Sequence, residues 1–413
     1  MVKFNRFTLD NGLRVIVHED HATPMAVLNI LYDVGARDED PDRTGFAHLF
    51  EHLMFGGSVN IPQYDEPLQR VGGENNAFTT NDITNYYITL PAENIETAFW
   101  LESDRMLSLA FSEKSLEVQR NVVIEEFKQR YLNQPYGDVW LKLRPMVYKK
   151  HPYRWATIGK NIGHIEEAQI GDVKAFFKKH YNPQNAIMVV GGNISTEGAK
   201  QLAEKWFGPI PPGEKYHRHL PQEPAQQEAR RETVTAKVPL NDLYIAFHMP
   251  GRLDKGYYEL DLISDILSRG NSSRLYRKLV KDKQLFSEIH AYNMGSFDSG
   301  MFVIEGKPLE NVSIADAEAA VWEELEQLKQ YSVPDDELTK VKNKTESTMV
   351  FSEMSLLDKA MNLAMFELLG DAGMLNHETD KYLAVTAGQV QQEAQDVFRK
   401  ENSSTLIYLA EAH

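Results

Sequence analysis

The chain has 413 residues, 42% hydrophobic and 25% charged, which is enough for two or three globular domains. Its net charge of -16 disfavours nucleic acid as a partner, and the absence of cysteine excludes disulfides and thiolate metal ligands. No apolar run approaches ~18 residues and no signal peptide is visible, so we expect no membrane span and a cytoplasmic or periplasmic location.

Strands and helices alternate through the first half of the chain. The dipeptide Asn11-Gly12 between two alternating apolar runs predicts a hairpin over residues 7–17. The next strand is expected over residues 25–34, followed by a helix that starts after the N-cap residues 42–44 and stops at Gly56. The later elements are a strand over 83–90, helices after Pro91 and Ser112, a helix over 173–180 and a strand over 186–190.

This order of elements recurs after about residue 230. Gly171-Asp172-Val173 stands ten residues before Tyr181 and a strand, as Gly388-Gln389-Val390 stands ten before Phe398 and a strand. Pro91 and Pro308 open similar segments before long helices. We therefore predict two homologous α+β domains, residues 1–212 and 232–413, joined by a polar linker of residues 213–231.

One helical segment carries the chemistry. At about 100° per residue, His48 and His52 lie about 40° apart, with Glu51 about 60° to the other side of His48. The opposite face is apolar and should pack inward: Phe46, Leu49, Phe50 and Leu53. Two imidazoles suit Zn²⁺ at roughly 2.0–2.1 Å. Glu51 beside a metal-bound water can take its proton and pass it to a leaving amine. This His-x-x-Glu-His order is that of the inverzincins.

A third ligand must come from elsewhere. Glu125 and Glu126, in the helical run from Leu116 to Arg130, are the best candidates, and spacing does not choose between them. The remaining candidates are expected at the surface or beside the site: His18, His21, His151, His164 and the solvated linker run His217-Arg218-His219. In the second half, the helix aligned with the motif reads Asp261-Leu262-Ile263-Ser264-Asp265. It has no imidazole, so at most one half holds a metal.

Taken together, these residues resemble the pitrilysin/insulinase family, in particular its shorter branch of mitochondrial processing peptidases and bacterial zinc peptidases. The resemblance runs over essentially the whole chain. The run from Arg120 to Glu126 matches the family's Arg-x-Val-(Val/Ile)-x-x-Glu, whose last residue is the third zinc ligand. The resemblance therefore implies Glu126 as the ligand, and one Zn²⁺ per chain. It also implies that each domain is a mostly antiparallel sheet with helices packed on one face, and that the two domains close like a clamshell.

The same resemblance implies a substrate strand. The run from Gly72 to Thr79 is similar to the segment whose Asn-Ala lies on an exposed strand edge and pairs with the substrate backbone. The implied substrate-binding residues are Asn76, Ala77, Phe78 and Thr79. Taken by themselves, residues 76–80 read as a polar turn.

Three positions depart from the family pattern. Gln119 stands where a second glutamate often supports the metal site. The segment Ser272–Tyr276 matches the family, but Val280 and Ser287 replace the arginine and tyrosine that contact the bound peptide. Neither replacement can stabilise a developing oxyanion as a guanidinium or a phenol does. Lys281 and Tyr292 are nearby, with no assigned role.

The sequence therefore predicts a zinc endopeptidase acting on extended or unfolded peptides. The missing Arg/Tyr pair predicts a dimer, possibly a heterodimer with a related subunit that carries the pair. The alternative is a non-catalytic interaction or scaffold subunit of such a complex. A third possibility is metal-dependent hydrolysis of something other than peptides on the same fold.

Overall fold

The computed structural model describes residues 1–411, and in these residues each half of the chain builds one sheet. The first half contains strands β1 (Asn5–Thr8), β2 (Arg14–Glu19), β3 (Met25–Tyr32), β4 (Glu74–Thr79), β5 (Thr84–Pro91) and β6 (Ala186–Gly192). Its helices are α1 (Phe46–Leu53), α2 (Asp65–Arg70), α3 (Ile95–Leu107), α4 (Glu113–Phe127), α5 (Val139–Val147), α6 (Gly163–Glu166), α7 (Ile170–His180) and α8 (Thr196–Trp206).

The second half repeats the alternation of strands and helices. Its strands are β7 (Arg230–Ala236), β8 (Asp242–Met249), β9 (Phe286–Met294), β10 (Gly300–Pro308) and β11 (Ser403–Ala410). Its helices are α9 (Tyr257–Ser268), α10 (Ile314–Gln330), α11 (Asp335–Ser352), α12 (Leu356–Leu368), α13 (Glu378–Ala384) and α14 (Ala387–Val397). Among residues 1–411, no helix is both long and apolar enough to cross a membrane.

The two sheets have the same topology. The first has the order β1-β2-β6-β3-β5-β4, and the second has the order β7-β11-β8-β10-β9. Without β1, the orders correspond strand for strand. Each sheet has one parallel pair, β2 with β6 and β7 with β11, and its other pairs are antiparallel. The predicted α+β fold of two similar, mostly antiparallel domains is confirmed, as is the hairpin at Gly12, whose φ is +90°.

The chain divides into two compact units that exchange segments. The first unit comprises residues 1–129, 155–220 and 350–377. The second comprises residues 130–154, residues 221–349 and the described residues from 378 onward. The division after Leu220 falls within the predicted linker. The domain limits 1–212 and 232–413 stay a prediction, and nothing in the sequence pattern anticipated the exchange.

Each exchanged segment covers the second face of a sheet. In the first unit, α12 packs against β3 and β6, opposite the face that carries α1. Near the end of β6, a Cβ at Gly191 would lie 3.2 Å from Leu356 of α12. In the second unit, α5 joins a core with Tyr244 and Ala246 of β8, while Phe247 on the other face packs with α9 and α14. Both faces are therefore buried, which explains why β6 is a continuous small and apolar run.

Candidate metal centre

Helix α1 starts in a way that the sequence did not predict. Its N-cap is Gly45, which has φ +90° and no side chain to cap the helix. The N-cap expected within residues 42–44 is therefore wrong. The Thr44 hydroxyl instead lies 3.0 Å from His164 Nδ1. The caps come from Glu39, whose carboxylate accepts from the N–H groups of Gly45 and Ala47, both at 2.9 Å. The predicted apolar face of α1 is buried, so the opposite face presents His48 and His52.

Three side chains converge beside α1. Glu126 Oε2, on α4, lies 3.6 Å from His48 Nε2 and 3.4 Å from His52 Nε2. Donor atoms bound at ~2.0–2.1 Å to one tetrahedral ion stand roughly 3.3 Å apart, so the spacing and the two-nitrogen, one-oxygen donor set fit Zn²⁺. All three side chains are largely shielded from solvent. Within residues 1–411, no other group of three or more histidine or acidic side chains is arranged to hold a metal.

The structure distinguishes the two neighbouring glutamates. Helix α4 begins after Ser112, as predicted, and Ser112 is its N-cap, with a capping box to Ser115. Glu126 faces α1, whereas the side chain of Glu125 is 61% exposed and binds Lys128 at 2.8 Å. The choice between the glutamates, which spacing left open, thus follows from the side of α4 that packs on α1. Gln119 lies on the same helix, about two turns earlier, and is half-buried.

The Glu51 carboxylate is held by the end of a strand. Thr79 Oγ1 donates a hydrogen bond of 2.6 Å to Glu51 Oε2. Thr79 is the last residue of β4 and pairs with Thr84 of β5. Because side chains alternate along a strand, Ala77 and Thr79 face α1, while Asn76 and Phe78 point to the other side. The sequence did not indicate this contact between the proposed base and the proposed substrate strand.

Strand β4 is the edge of the first sheet. Among the strands that the described residues form, it neighbours β5 on one side and no strand on the other. The polar turn that residues 76–80 suggest by themselves is therefore wrong, and the strand edge expected from the resemblance is present. The Ala77 N–H donates to the side-chain oxygen of Asn76 at 2.8 Å, and Phe78 is 36% exposed. A backbone edge of this kind can accept a further strand.

The two departures in the second half have ordinary local environments. Val280 lies in a π-helical segment, Tyr276–Asp282, and packs against the core of the second unit. Ser287 is exposed on β9 and donates to the Lys307 carbonyl at 3.1 Å. The Tyr292 hydroxyl donates to Glu305 at 2.9 Å. These contacts assign no substitute for the missing arginine and tyrosine.

The other histidines lie outside the metal group. His18 contacts the Lys3 carbonyl at 2.7 Å, His21 contacts Asn193 at 2.7 Å, and His151 lies 3.4 Å from Asp298. His217 and His219 are exposed, as expected.

Arg218 corrects the expectation of a fully solvated linker run. It donates to Asp33 and Asp38, both at 2.7 Å. No local pattern could have revealed this contact, because its partners are about 180 residues away in the sequence.

Comparisons with known proteins bear on the family and the fold. Residues 14–153 match the family model described as Insulinase (Peptidase family M16), and residues 168–345 match the model described as Peptidase M16 inactive domain. The chain is 30% identical to the zinc protease PqqE of Helicobacter pylori, covering 98% of this chain and 93% of that protein. It is 26% identical to the uncharacterized zinc protease YmxG of Bacillus subtilis over 97% of each chain.

Solved structures show the same architecture. The crystal structure of a protease from Helicobacter pylori has a TM-score of 0.92 at 28% identity, covering 99% of this chain and all of that one. A structure from Pseudomonas fluorescens, described as a peptidase M16 inactive domain, has a TM-score of 0.89 at 19% identity and covers 100% of this chain and 98% of that one. At that identity the second similarity concerns the fold alone.

Proposed function

Because the chain belongs to the insulinase family of metallopeptidases, peptidase family M16, we propose that it is a zinc-dependent endopeptidase that cleaves extended or unfolded peptides. The observation that carries the proposal is a convergence of side chains from two helices. His48 and His52 of α1, the helix that also holds Glu51, and Glu126 of α4 have ligand atoms within 4.8 Å of one another. Glu51 in turn is bonded to the last residue of an open strand edge. The residues proposed as metal ligands, as base and as peptide-binding backbone therefore lie close together, which supports the proposal.

The chain's own residues have distinct tasks in this reaction. His48, His52 and Glu126 would hold one Zn²⁺ per chain. When bound, the ion supplies Lewis acidity and lowers the pKa of a coordinated water to about 7. Glu51 accepts a proton from the attacking water and delivers it to the leaving amine. Thr79 holds the Glu51 carboxylate in place through a charge-assisted hydrogen bond.

Strand addition explains a preference for extended peptides. The edge of β4, with Asn76, Ala77, Phe78 and Thr79, would hydrogen-bond the substrate backbone whatever its side chains. Asn76 now bonds the Ala77 N–H, so an incoming peptide carbonyl would replace that side chain. A folded protein offers few segments that can join this edge. Phe78 and its neighbours would refine the choice of sequence.

A second subunit is part of the proposal. Val280 and Ser287 cannot supply the donors that the resemblance implies at these positions. We therefore infer a dimer, possibly a heterodimer with a related chain that carries the arginine and tyrosine. We expect the protein in the cytoplasm or the periplasm.

The character of the second half of the chain favours the alternative of a non-catalytic subunit. The second half matches a family model described as inactive, and α9 has no imidazole where α1 has two. Against this alternative, a scaffold does not need two histidines, Glu126 and Glu51 in one arrangement.

The test is a screen of the zinc-loaded chain with a flexible peptide, the same peptide sequence inside a folded domain, and an ester. The proposal expects cleavage of the flexible peptide, loss of activity with a chelator and recovery with Zn²⁺. Hydrolysis of the ester alone would support the non-peptide alternative. Cleavage by the chain alone at the rate of family homodimers would refute the need for a partner. Full zinc content without cleavage, even with a related partner, would support the scaffold.

A further inference from the structure

Glu39 is a buried carboxylate with no part in the proposed chemistry. It is 6% exposed, and its two oxygens accept from the N–H groups of Gly45 and Ala47. Both groups belong to the first turn of α1, next to His48. Unsatisfied N–H groups at a helix start are costly when buried, and negative charge there is favourable.

The cap of α1 has to come from a distant residue. Gly45 adopts φ +90°, and a Cβ there would lie 2.7 Å from the Ile158 carbonyl oxygen. No serine, threonine, aspartate or asparagine can therefore stand at the N-cap and serve its usual function. The helix has only 8 residues, so its own hydrogen bonds give it little independent stability. Its orientation depends on the groups that fix its ends.

The segment that carries Glu39 is also bonded to the residues that follow β4. The Ala36 N–H donates to the Thr80 carbonyl at 3.2 Å, and the Arg37 N–H donates to the Asn81 carbonyl at 2.9 Å. Gly35 permits this approach, since a Cβ there would lie 2.5 Å from Asn81. One short segment thus contacts the turn after the substrate strand on one side and the start of the metal helix on the other.

We propose that Glu39 is a positioning residue that fixes α1, and with it His48 and His52, relative to strand β4. This inference rests on the proposed function and adds a residue to it. Glu39 contacts neither metal nor substrate, and it acts through the backbone of α1. The distance between the metal ligands and the substrate edge then depends on a carboxylate outside the His-x-x-Glu-His motif.

The chemistry of Glu39 makes glutamine the informative replacement. Burial raises the pKa of Glu39 to about 8, against the hydrogen bonds from Ala47 and Gly45, so above that pH the group is ionised and both of its oxygens only accept. Glutamine keeps the size of the side chain but turns one acceptor into an NH₂ donor that faces a backbone N–H. Glu39→Gln therefore removes one bond and adds a repulsion without opening a cavity. Glu39→Asp is a second variant, which keeps the carboxylate but shortens its reach.

The control is Glu378→Gln in the second unit. Glu378 is 5% exposed and is bonded to Arg252 and Tyr258, so its replacement also perturbs a buried carboxylate.

Two quantities are measured for each full-length variant. One is the hydrogen exchange of α1 amides in metal-free protein, and the other is Zn²⁺ affinity by competition with a chelator. Thermal melting reports any general loss of stability.

We expect Glu39→Gln to increase α1 exchange and to weaken Zn²⁺ binding about 10- to 100-fold, as for other residues that support metal ligands. Glu39→Asp should change both in the same direction, and Glu378→Gln should leave both unchanged. Unaltered α1 exchange, or unaltered zinc affinity in a wild type that binds zinc, would overturn the positioning role. A wild-type chain that binds no Zn²⁺ would instead overturn the proposed function, and the α1 exchange of the metal-free variants would still decide whether Glu39 fixes the helix.

Discussion

Replacing Glu126 tests the proposed metal centre. Spacing in the sequence could not decide whether Glu125 or Glu126 is the third ligand. Its Oε2 lies 3.4 and 3.6 Å from two imidazole nitrogens, so Glu126→Gln replaces the only anionic donor of the group. Zinc binding by complete sites is worth about 10–16 kcal/mol, or roughly 3 kcal/mol per ligand if shared evenly. A loss of that size weakens affinity by about two orders of magnitude.

Glu125→Gln is the matched control for this experiment. It changes the same chemical group one residue earlier on α4, where the side chain is exposed and pairs with Lys128. Surface pairs of this kind contribute ~0–1 kcal/mol. We expect chelator competition to show weaker Zn²⁺ binding for Glu126→Gln only, with both variants folded by circular dichroism. Equal affinities for the two variants, or a larger loss for Glu125→Gln, would refute the assignment.

Two further predictions concern the base and the core. Thr79→Val removes the hydroxyl bonded to Glu51, worth ~1.5–3 kcal/mol as a hydrogen bond to a charged group, so steady-state kinetics should show a kcat at least ~10-fold lower and a smaller change in KM. An unchanged kcat would exclude a role for this bond. Burial, reinforced by Lys179 and Arg218, lowers the pKa of His180 to about 3 in the folded protein. Because the unfolded chain takes up a proton there below pH ~6.5 and the folded protein does not, the free energy of unfolding is highest above pH ~6.5 and falls as the pH drops below it. Urea unfolding should show a loss of about 2 kcal/mol from pH 6.5 to pH 5 that His180→Gln largely removes, and an equal loss in the variant would contradict this origin.

The sequence predicted features that depend on local pattern. The hairpin at Asn11-Gly12 and the start of α4 at Ser112 follow from side chains that act on their own backbone. The duplication was visible because both halves keep the same turn and helix signals. The His-x-x-Glu-His motif was visible because the two candidate ligands and the candidate base share one face of a single helix.

Features that depend on distant residues were not predictable. Residues 74–76 are polar and have low strand propensity, so the pairing with β5 is needed to make them a strand. The N-cap of α1 was predicted at the wrong residues. The close approach of Ile158 requires glycine at position 45, which has no side chain to cap the helix, and Glu39 caps it instead. The exchange of α5 and α12 between the units has no local signal, since it depends on contacts with strands far away in the sequence.

The most direct test of the proposed endopeptidase compares wild type with Glu51→Gln for zinc content and cleavage of a flexible peptide, with the same partner subunit present if one is needed. In the proposed mechanism Glu51 acts as the base and is not a ligand, so we predict that the variant keeps its Zn²⁺ and loses at least about 100-fold in rate. Retained zinc with unchanged cleavage would contradict the assignment of Glu51 and the mechanism built on it.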